Sequence, residues 1–255
     1  MSDDPDFLRL RGRTILVTGA SSGIGRATAI EASRHGANLV LVARRKEALE
    51  ELRSHLEGDG HVAVPFDLTD SAAIPGLLQE VSKRVGHLNG LFHAAGMHAT
   101  TPLRTVDADQ VEALFRLNVT TALLLAKGFR LPAVRATESS IVLMSSAVGL
   151  VGEAGVSAYA ASKAAVASLA RSLALELARD RIRVNSIAAG MVETAMSEKI
   201  HANVGSSGWE TIGAAHPLGI GAAADVANAA LYLLSPASSW VTGTALVVDG
   251  GYTAR

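Results

Sequence analysis

The chain has 255 residues, with 23 basic and 24 acidic side chains, 8 histidines and no cysteine. This charge balance disfavours nucleic acid and anionic membranes as partners, and the lack of cysteine excludes disulfides and thiolate metal sites. The histidines show no H-x-x-x-H or H-E-x-x-H spacing, so the sequence predicts no metal site.

The length of the chain and its first residues indicate the number of domains and the location of the protein. The length suits one large α/β domain, which we expect to span residues 1–255. Residues 1–11 form a polar segment whose first charges are acidic, whereas a signal peptide begins with basic ones. No later apolar run approaches the roughly 18 residues of a membrane-spanning helix, so we expect a soluble, cytoplasmic protein.

A glycine-rich loop follows the first predicted strand. Residues 14–17 are rich in β-branched side chains, residues 18–25 carry the glycines, and a helical pattern continues to about Arg34. Glycines permit the turn and let backbone N–H groups approach a pyrophosphate at the helix N-terminus. The spacing is G-x-x-x-G-x-G, and an ordinary tight turn is the alternative. The loop is therefore predicted to bind a dinucleotide through Gly19, Ser21, Ser22, Gly23, Ile24 and Gly25.

The residues that follow the second predicted strand, 37–43, indicate which dinucleotide the loop binds. An acidic residue about 20 positions past the glycines binds the adenosine ribose of NAD(H), whereas an arginine suits the 2′-phosphate of NADP(H). Here Arg44 and Arg45 follow the strand and no acidic residue stands at the turn. The prediction is NADP(H) over NAD(H); the alternative is that both arginines merely solvate the next helix.

Two further strand ends are predicted beside the loop. Strand 61–66 is followed by Asp67, which either accepts a hydrogen bond from an adenine amino group or forms a turn. Strand 88–93 is followed by Ala94, Ala95 and Gly96, whose small size would let a cofactor lie close to the backbone.

The predicted catalytic pair is Tyr159 and Lys163. Four residues apart on a helix, they share a face, and the ammonium is expected to lower the pKa of the phenol. Strand 141–146 ends in Ser145 and Ser146, and strand ends carry the chemistry of α/β sheets. A solvated helix face is the alternative. Asn118, in an apolar helix, is either a satisfied core amide or the holder of a water in a proton path.

The remaining pattern completes the sheet. Strand 181–187 precedes Gly190, residues 193–218 lack periodicity and are predicted to form a lid over the site, and a helix at 225–234 precedes a strand at 245–248. Strands alternating with helices predict a single Rossmann-type, doubly wound domain with a seven-stranded, mostly parallel sheet and helices on both faces.

Together these features resemble the short-chain dehydrogenase/reductase family over residues 11–252. The glycine loop, the interval of thirteen residues from Ser146 to Tyr159 and the Y-x-x-x-K spacing occur in the family's order. The resemblance implies that Tyr159 is the general acid/base, Lys163 its ribose-binding partner, Ser146 the carbonyl-polarising hydroxyl and Asn118 the water holder. It further implies cofactor contacts at the adenine end and the nicotinamide end from Asp67, Leu68, Gly190, Val192 and Thr194.

Three positions depart from the family pattern. The usual Asn-Asn-Ala-Gly is His93-Ala94-Ala95-Gly96, the usual Pro-Gly is Ala189-Gly190, and the usual Arg near the end of the lid is Ile220. None belongs to the Ser-Tyr-Lys set, so activity is still expected, whereas local cofactor contacts are put in doubt.

The resemblance implies an NADP(H)-dependent ketoreductase, closest in type to 3-oxoacyl-thioester reductases, and a homotetramer. The expected substrate is an uncharged or hydrophobic carbonyl or alcohol, because the residues expected to face it are mostly apolar or small: Met97, His98, Ala147, Val148, Gly149, Val151, Met191 and Met196. The alternatives are an NAD(H)-dependent steroid, sugar or polyol dehydrogenase and a non-catalytic NADP(H)-sensing regulator. Enoyl reduction would imply a longer Tyr-to-Lys interval.

Overall fold

Seven strands form one parallel sheet in the order β3-β2-β1-β4-β5-β6-β9. The computed structural model describes residues 7–254; residues 1–6 of the predicted polar segment and residue 255 lie outside the described residues. The strands are β1 (Thr14–Thr18), β2 (Asn38–Ala43), β3 (Val62–Pro65), β4 (Leu88–His93), β5 (Arg135–Ser146), β6 (Ile182–Ala189), β7 (Val192–Glu193), β8 (Gly221–Ala222) and β9 (Ala245–Val248). The short β7 and β8 pair separately. The predicted seven-stranded, doubly wound fold is confirmed.

Helices cover both faces of the sheet. They are α1 (Gly23–Arg34), α2 (Lys46–Ser54), α3 (Ile74–Val85), α4 (Ala108–Phe115), α5 (Thr121–Phe129), α6 (Ser157–Leu177), α7 (Ala195–Ala214) and α8 (Ala223–Leu234). A π-helical turn, Arg116–Thr120, joins α4 to α5, and 3₁₀ turns occupy Leu103–Thr105, Ala147–Gly149, Ala178–Asp180 and Pro236–Ser238. Because successive strand residues point to opposite faces, Ile15 and Val17 pack with α1 and α8, whereas Leu16 packs with α3, α5 and α6.

The carboxyl ends of the strands meet at one edge of the sheet. Strand order reverses between β1 and β4, which is where open α/β sheets bind their ligands. The register places Thr18 beside His93 and Ser146 beside Ala189. The glycine loop, the 94–96 turn and the start of α6 therefore adjoin one crevice.

The segment predicted as an aperiodic lid is mostly helix. Residues 195–214 form α7, which is interrupted at Gly205, where the backbone has a φ of 71°. Ser197 is the buried residue of α7. A helix that buries so little carries no apolar stripe, which explains why the sequence showed no helical period there. In the part of the chain from 7 to 254, no helix is long and apolar enough to cross a membrane.

Candidate active site

Ser146, Tyr159 and Lys163 line the same cavity, which has a volume of about 400 Å³. Ser146 ends β5, and the other two lie in the first turns of α6. The Ser145 hydroxyl donates a hydrogen bond to the Lys163 carbonyl oxygen (2.8 Å), which fixes the start of α6 against β5. The Lys163 ammonium in turn donates to the Met144 carbonyl oxygen (2.9 Å). The strand end and the helix thus hold the three predicted side chains together.

Burial dominates the protonation of this pair. It raises the pKa of Tyr159 to about 12, although a hydrogen bond with the Ser146 side chain opposes the rise. Burial also lowers the pKa of Lys163 to about 8. The Lys163 Nζ lies 5.7 Å from the centre of the Tyr159 ring. The depression of the tyrosine pKa expected from the sequence is therefore not found, because desolvation disfavours the phenolate and the hydrogen bond with Ser146 offsets only part of that effect.

Asn118 lies in the π-helical turn and is 1% exposed. Its Oδ1 accepts a hydrogen bond from the Met97 backbone N–H (2.9 Å), and its Nδ2 donates to the Met97 carbonyl oxygen (3.1 Å) and to the Ser162 hydroxyl (3.0 Å). A Cβ at Gly96 would lie 3.0 Å from Asn118 Oδ1 and 3.4 Å from Lys163 Nζ. The amide is therefore satisfied by protein groups and lies close to Lys163, separated from it by a glycine.

The glycine loop packs so closely against neighbouring backbone that two of its positions require glycine. Gly19 has a φ of +67°, and a Cβ there would lie 2.8 Å from the Ala95 backbone nitrogen; a Cβ at Gly25 would lie 2.5 Å from the Gly19 carbonyl oxygen. Ser22 precedes α1 without a side-chain cap, and the first turn of α1 carries no acidic residue. The helix N–H groups and its positive dipole end therefore suit an anion. These residues fit a dinucleotide.

Two arginines flank this loop. The Arg45 guanidinium donates to the Ser21 carbonyl oxygen (3.3 Å) and hydroxyl (3.4 Å). Arg44 is exposed at the end of β2, and its charge contributes to lowering the pKa of Asp67. The larger cause is Thr69, whose backbone N–H and hydroxyl both donate to Asp67 Oδ1. Asp67 thus forms a turn, which is the second of the two roles predicted for it.

The turn after β6 brings three predicted residues to the cavity. A Cβ at Gly190 would lie 2.8 Å from the Asp249 Cα, so the turn requires glycine, and its backbone N–H donates to the Val248 carbonyl oxygen (2.9 Å). Thr194 caps α7 by accepting from the Ser197 backbone N–H (3.3 Å). Ala189, which stands where the family pattern has proline, is buried at the end of β6.

The predicted cofactor residues divide into two groups. Those lining the cavity are Ile24, Ala94, Gly96, Tyr159, Lys163, Gly190, Val192 and Thr194. The others, Gly19, Ser21, Ser22, Gly23, Gly25, Arg44, Arg45, Asp67, Leu68 and Ala95, lie outside it along the ends of β1, β2, β3 and β4. The second group continues from the cavity along the carboxyl edge of the sheet, which is where open α/β sheets bind their ligands.

The substrate-facing part of the cavity is mainly apolar. Of the residues predicted to face substrate, Met97, His98, Ala147, Val148, Met191 and Met196 line it, whereas Gly149 and Val151 do not. Sequence reasoning missed Glu153, Ile200, Val204, Ile212, His216 and Tyr252. Most of them belong to α7 or lie beyond it, where no periodic signal exists.

A polar cluster bounds the cavity on the side of the chain's C-terminal turn. The Tyr252 hydroxyl donates to Glu153 Oε2 (3.1 Å), and the Tyr252 ring stacks on His216 with centroids 4.8 Å apart. His216 Nε2 accepts from the Met191 backbone N–H (3.0 Å), and Nδ1 donates to the Ile212 carbonyl oxygen (2.8 Å). Elsewhere in the cavity, the His98 and Tyr159 rings meet edge to face, with centroids 4.6 Å apart.

His93 replaces an asparagine of the family pattern without opening the sheet. Its Nδ1 lies 2.8 Å from the Thr18 hydroxyl, which also accepts from the Ala95 backbone N–H (3.2 Å). Within residues 7–254, its buried Nε2 has no hydrogen-bond partner. Burial, aided by the charge of Lys163, lowers the pKa of His93 to about 3. The imidazole is therefore neutral and ties β4 to β1.

Comparison with known proteins identifies the class. The family model described as enoyl-(acyl carrier protein) reductase matches residues 19–253. A bovine 3-oxoacyl-[acyl-carrier-protein] reductase is 35% identical over 92% of this chain and 95% of its own. A cis-4-hydroxycyclohexanecarboxylate dehydrogenase from Sinomonas cyclohexanicum is 35% identical over 95% of this chain and 97% of its own.

The solved structures agree with this class. A short-chain type dehydrogenase/reductase from Mycobacterium marinum superimposes with a TM-score of 0.90 at 29% identity, covering 98% of this chain and 99% of that one. The chain therefore belongs to the short-chain dehydrogenase/reductase family. It is an oxidoreductase of the class that interconverts a carbonyl and an alcohol.

Proposed function

We propose that the protein catalyses the reversible, NADP(H)-linked reduction of an uncharged, largely hydrophobic ketone to a secondary alcohol. The observation that carries the proposal is the meeting of Ser146, Tyr159 and Lys163 in one apolar cavity beside the glycine loop. The acid, the hydrogen-bond donor and the cation lie on rigid elements, which reduces the entropy lost on reaching a reactive arrangement.

Tyr159 is the proton donor in this mechanism. Because burial raises the pKa of Tyr159 to about 12, the phenol is fully protonated near neutrality and has a proton to give to the carbonyl oxygen. The Ser146 hydroxyl hydrogen-bonds the same oxygen and stabilises the charge that develops there. NADP(H), when bound, supplies the hydride in reduction and accepts it in oxidation. Alcohol oxidation requires the reverse transfer of the proton to a tyrosinate.

Lys163 supplies the positive charge of the site. Below its pKa of about 8 the side chain is cationic, and it lies close enough to Tyr159 to favour the phenolate that forms when the proton leaves. The family resemblance assigns the nicotinamide ribose to the same ammonium. Asn118 fixes the backbone of residue 97 beside it, and we propose that it also holds the water that connects Lys163 to solvent.

Preference for NADP(H) over NAD(H) is supported by Arg44 and Arg45. The two guanidiniums lie at the end of β2, and Arg45 already contacts Ser21 in the glycine loop. An Arg44→Asp variant should lose kcat/KM for NADPH by at least tenfold and change little for NADH. Arg34→Asp, another exposed arginine, is the matched control. An unchanged NADPH/NADH ratio in Arg44→Asp would overturn the nucleotide assignment.

The substrate class is supported by the wall of the cavity. Methionine, isoleucine, valine and alanine together make up more than half of the lining residues, and Glu153 adds a negative charge near the C-terminal turn. A neutral ketone, including a 3-oxoacyl thioester of the kind named for the bovine relative, suits this wall better than a keto acid does. We expect NADPH consumption with neutral ketones and at least tenfold lower kcat/KM with matched keto acids. Preference for the keto acids would overturn the substrate proposal while leaving carbonyl reduction in place.

Carbonyl reduction is favoured over enoyl reduction by the catalytic spacing. Three residues separate Tyr159 from Lys163, whereas a longer interval is expected of an enoyl reductase. A regulator that only senses NADP(H) has no use for the complete Ser-Tyr-Lys set. Saturable NADPH binding without reduction of any carbonyl in a broad panel would favour the regulator instead.

A homotetramer is the proposed assembly. Large apolar side chains stay exposed on α5, α6 and β9: Leu123 is 45%, Leu175 82% and Val247 41% exposed. Burying such side chains against a second copy is favourable. Analytical ultracentrifugation should give the mass of a tetramer, and a Leu175→Glu variant should shift it to smaller species. A monomeric parent protein would contradict this assembly.

A further inference from the structure

A second cavity lies at the opposite edge of the sheet from Tyr159. Its volume is about 430 Å³, and it is bounded by the start of β1, the first part of β5, the start of β6 and the segment between α8 and β9. Its lining residues include Arg13, Glu138, Ser139, Arg181, Arg183 and Trp240. None of the residues assigned to carbonyl reduction belongs to this cavity.

The cavity has an excess of positive charge. Arg181 pairs with Glu138 at 3.1 Å, but both side chains are 70% exposed, so the pair is screened by solvent. Arg13 donates to the Glu138 carbonyl oxygen (2.9 Å), and Arg183 donates to the Val241 (3.2 Å) and Ser235 (3.0 Å) carbonyl oxygens. A carbonyl satisfies an N–H donor without cancelling the charge. Three guanidiniums therefore face one carboxylate.

Two of these cations are partly buried and repel each other. Burial, together with the neighbouring Arg13, lowers the pKa of Arg183 to about 10. Burial lowers the pKa of Arg13 as well, although the charge of Glu138 opposes that fall. Both remain cationic near neutrality. Partly buried charges in proteins are normally paired with a counter-charge, and among residues 7–254 neither has a carboxylate within salt-bridge distance.

Two polar atoms in the wall are also unsatisfied. Arg13 Nε and Ser139 Oγ are buried, and neither has a hydrogen-bond partner in the described part of the chain. Buried donors of this kind are rare in folded proteins and call for a specific explanation. Because both atoms lie in the same wall as the unpaired guanidiniums, we expect one explanation for all of these groups.

Trp240 gives the site a flat apolar surface. Its side chain is 98% exposed and lines the cavity. An exposed indole offers a flat face on which a planar group of a ligand can stack. A ligand with an anionic end and a flat end would match the arginines and the indole together.

We propose that this cavity binds the oxyanion, phosphate or carboxylate, of a small molecule whose planar part stacks on Trp240. Arg13, Arg181 and Arg183 provide the positive charge that an oxyanion requires, and guanidinium forks suit its geometry. The site is separate from carbonyl reduction, so its test does not depend on the enzyme's substrate.

Trp240 is a natural reporter for the test. The chain has two tryptophans, and the second, Trp209, stacks on His201 in α7. In a Trp209→Phe protein, fluorescence therefore reports on Trp240 alone. We would titrate inorganic phosphate and phenyl phosphate at constant ionic strength, with saturating NADP⁺ present to occupy the dinucleotide site and with chloride as the ionic control. Thermal unfolding in the same solutions gives a second readout, because a bound ligand raises the melting temperature.

We expect a saturable change in Trp240 fluorescence, at least threefold tighter for phenyl phosphate than for phosphate, together with a rise in melting temperature. Arg13→Gln and Arg181→Gln should each weaken binding at least fivefold, whereas Arg171→Gln, an exposed arginine on α6 outside the cavity, should not. If Arg13→Gln does not fold, the Arg181→Gln variant still tests the proposal, because Arg181 is exposed. Equal behaviour of phosphate and chloride by both readouts, or equal binding in Arg181→Gln and the parent, would overturn the proposal.

Discussion

Lys163 should destabilise the fold that carries it. The side chain is 6% exposed, and its pKa falls from 10.5 to about 8 on folding. At about 1.4 kcal/mol per pH unit, this corresponds to about 3 kcal/mol of desolvation cost near neutrality. The hydrogen bond from Lys163 to the Met144 carbonyl oxygen offsets about 1 kcal/mol of this cost. Lys163→Met should therefore raise the free energy of unfolding by about 2–3 kcal/mol at pH 7.

The pH dependence of this effect has a definite sign. Below pH 8 the folded and unfolded chains both carry the proton, so the cost is fully present; above 10.5 both have lost it, so the cost disappears. The parent protein should gain stability between those limits relative to Lys163→Met. The difference between the two proteins should shrink toward zero by pH 10.5.

Urea titrations at a series of pH values measure this difference. At neutral pH the variant should also melt roughly 4–12 °C higher, since each kcal/mol shifts the melting temperature by about 2–4 °C in a chain of this size. Lys127→Met, which removes an exposed lysine of α5, is the matched control and should change little. A Lys163→Met protein that is less stable than the parent at pH 7 would refute the reasoning.

Three further outcomes follow from the site. Gly96→Ala places a Cβ 3.0 Å from Asn118 Oδ1 and 3.4 Å from Lys163 Nζ, so steady-state kinetics should show kcat/KM falling at least tenfold with the circular dichroism unchanged; full activity would contradict that packing. Asn118→Ala removes both hydrogen bonds to the Met97 backbone and should cost about 1–3 kcal/mol in urea unfolding, whereas a neutral effect would not fit. Because the pKa of Tyr159 is about 12 and that of Lys163 about 8, initial rates of alcohol oxidation should rise from pH 6 to pH 8, where Lys163 is still cationic; a flat profile would argue against tyrosinate as the base.

The sheet and the catalytic residues were predictable because each is indicated by a pattern within a short stretch of sequence. Strand runs that end in glycine or hydroxyl side chains predicted the seven-stranded sheet, and parallel strands necessarily bring such ends to one edge. The spacing of Tyr159 and Lys163 on a helix required only the helical period. The structure then places these two side chains with Ser146 in one cavity.

The electrostatics of the site were not predictable in the same way. A charge four residues away suggested a lowered pKa for Tyr159, but the pKa depends on how deeply strands and helices from the whole chain bury the phenol. The part of the wall built by α7 and Tyr252 was also missed. α7 packs too little apolar surface to show a period, and Tyr252 contacts Glu153 and His216, which are distant from it in sequence.

The most direct test of the proposed function is the rate of NADPH absorbance loss with a neutral ketone, compared between the parent, Tyr159→Phe and Tyr232→Phe. Tyr232 lies on α8 outside the cavity and controls for the loss of a hydroxyl. We expect turnover in the parent and in Tyr232→Phe, and a loss of at least a thousandfold in Tyr159→Phe with NADPH binding retained. Turnover in Tyr159→Phe at the rate of the parent would show that Tyr159 is not the proton donor.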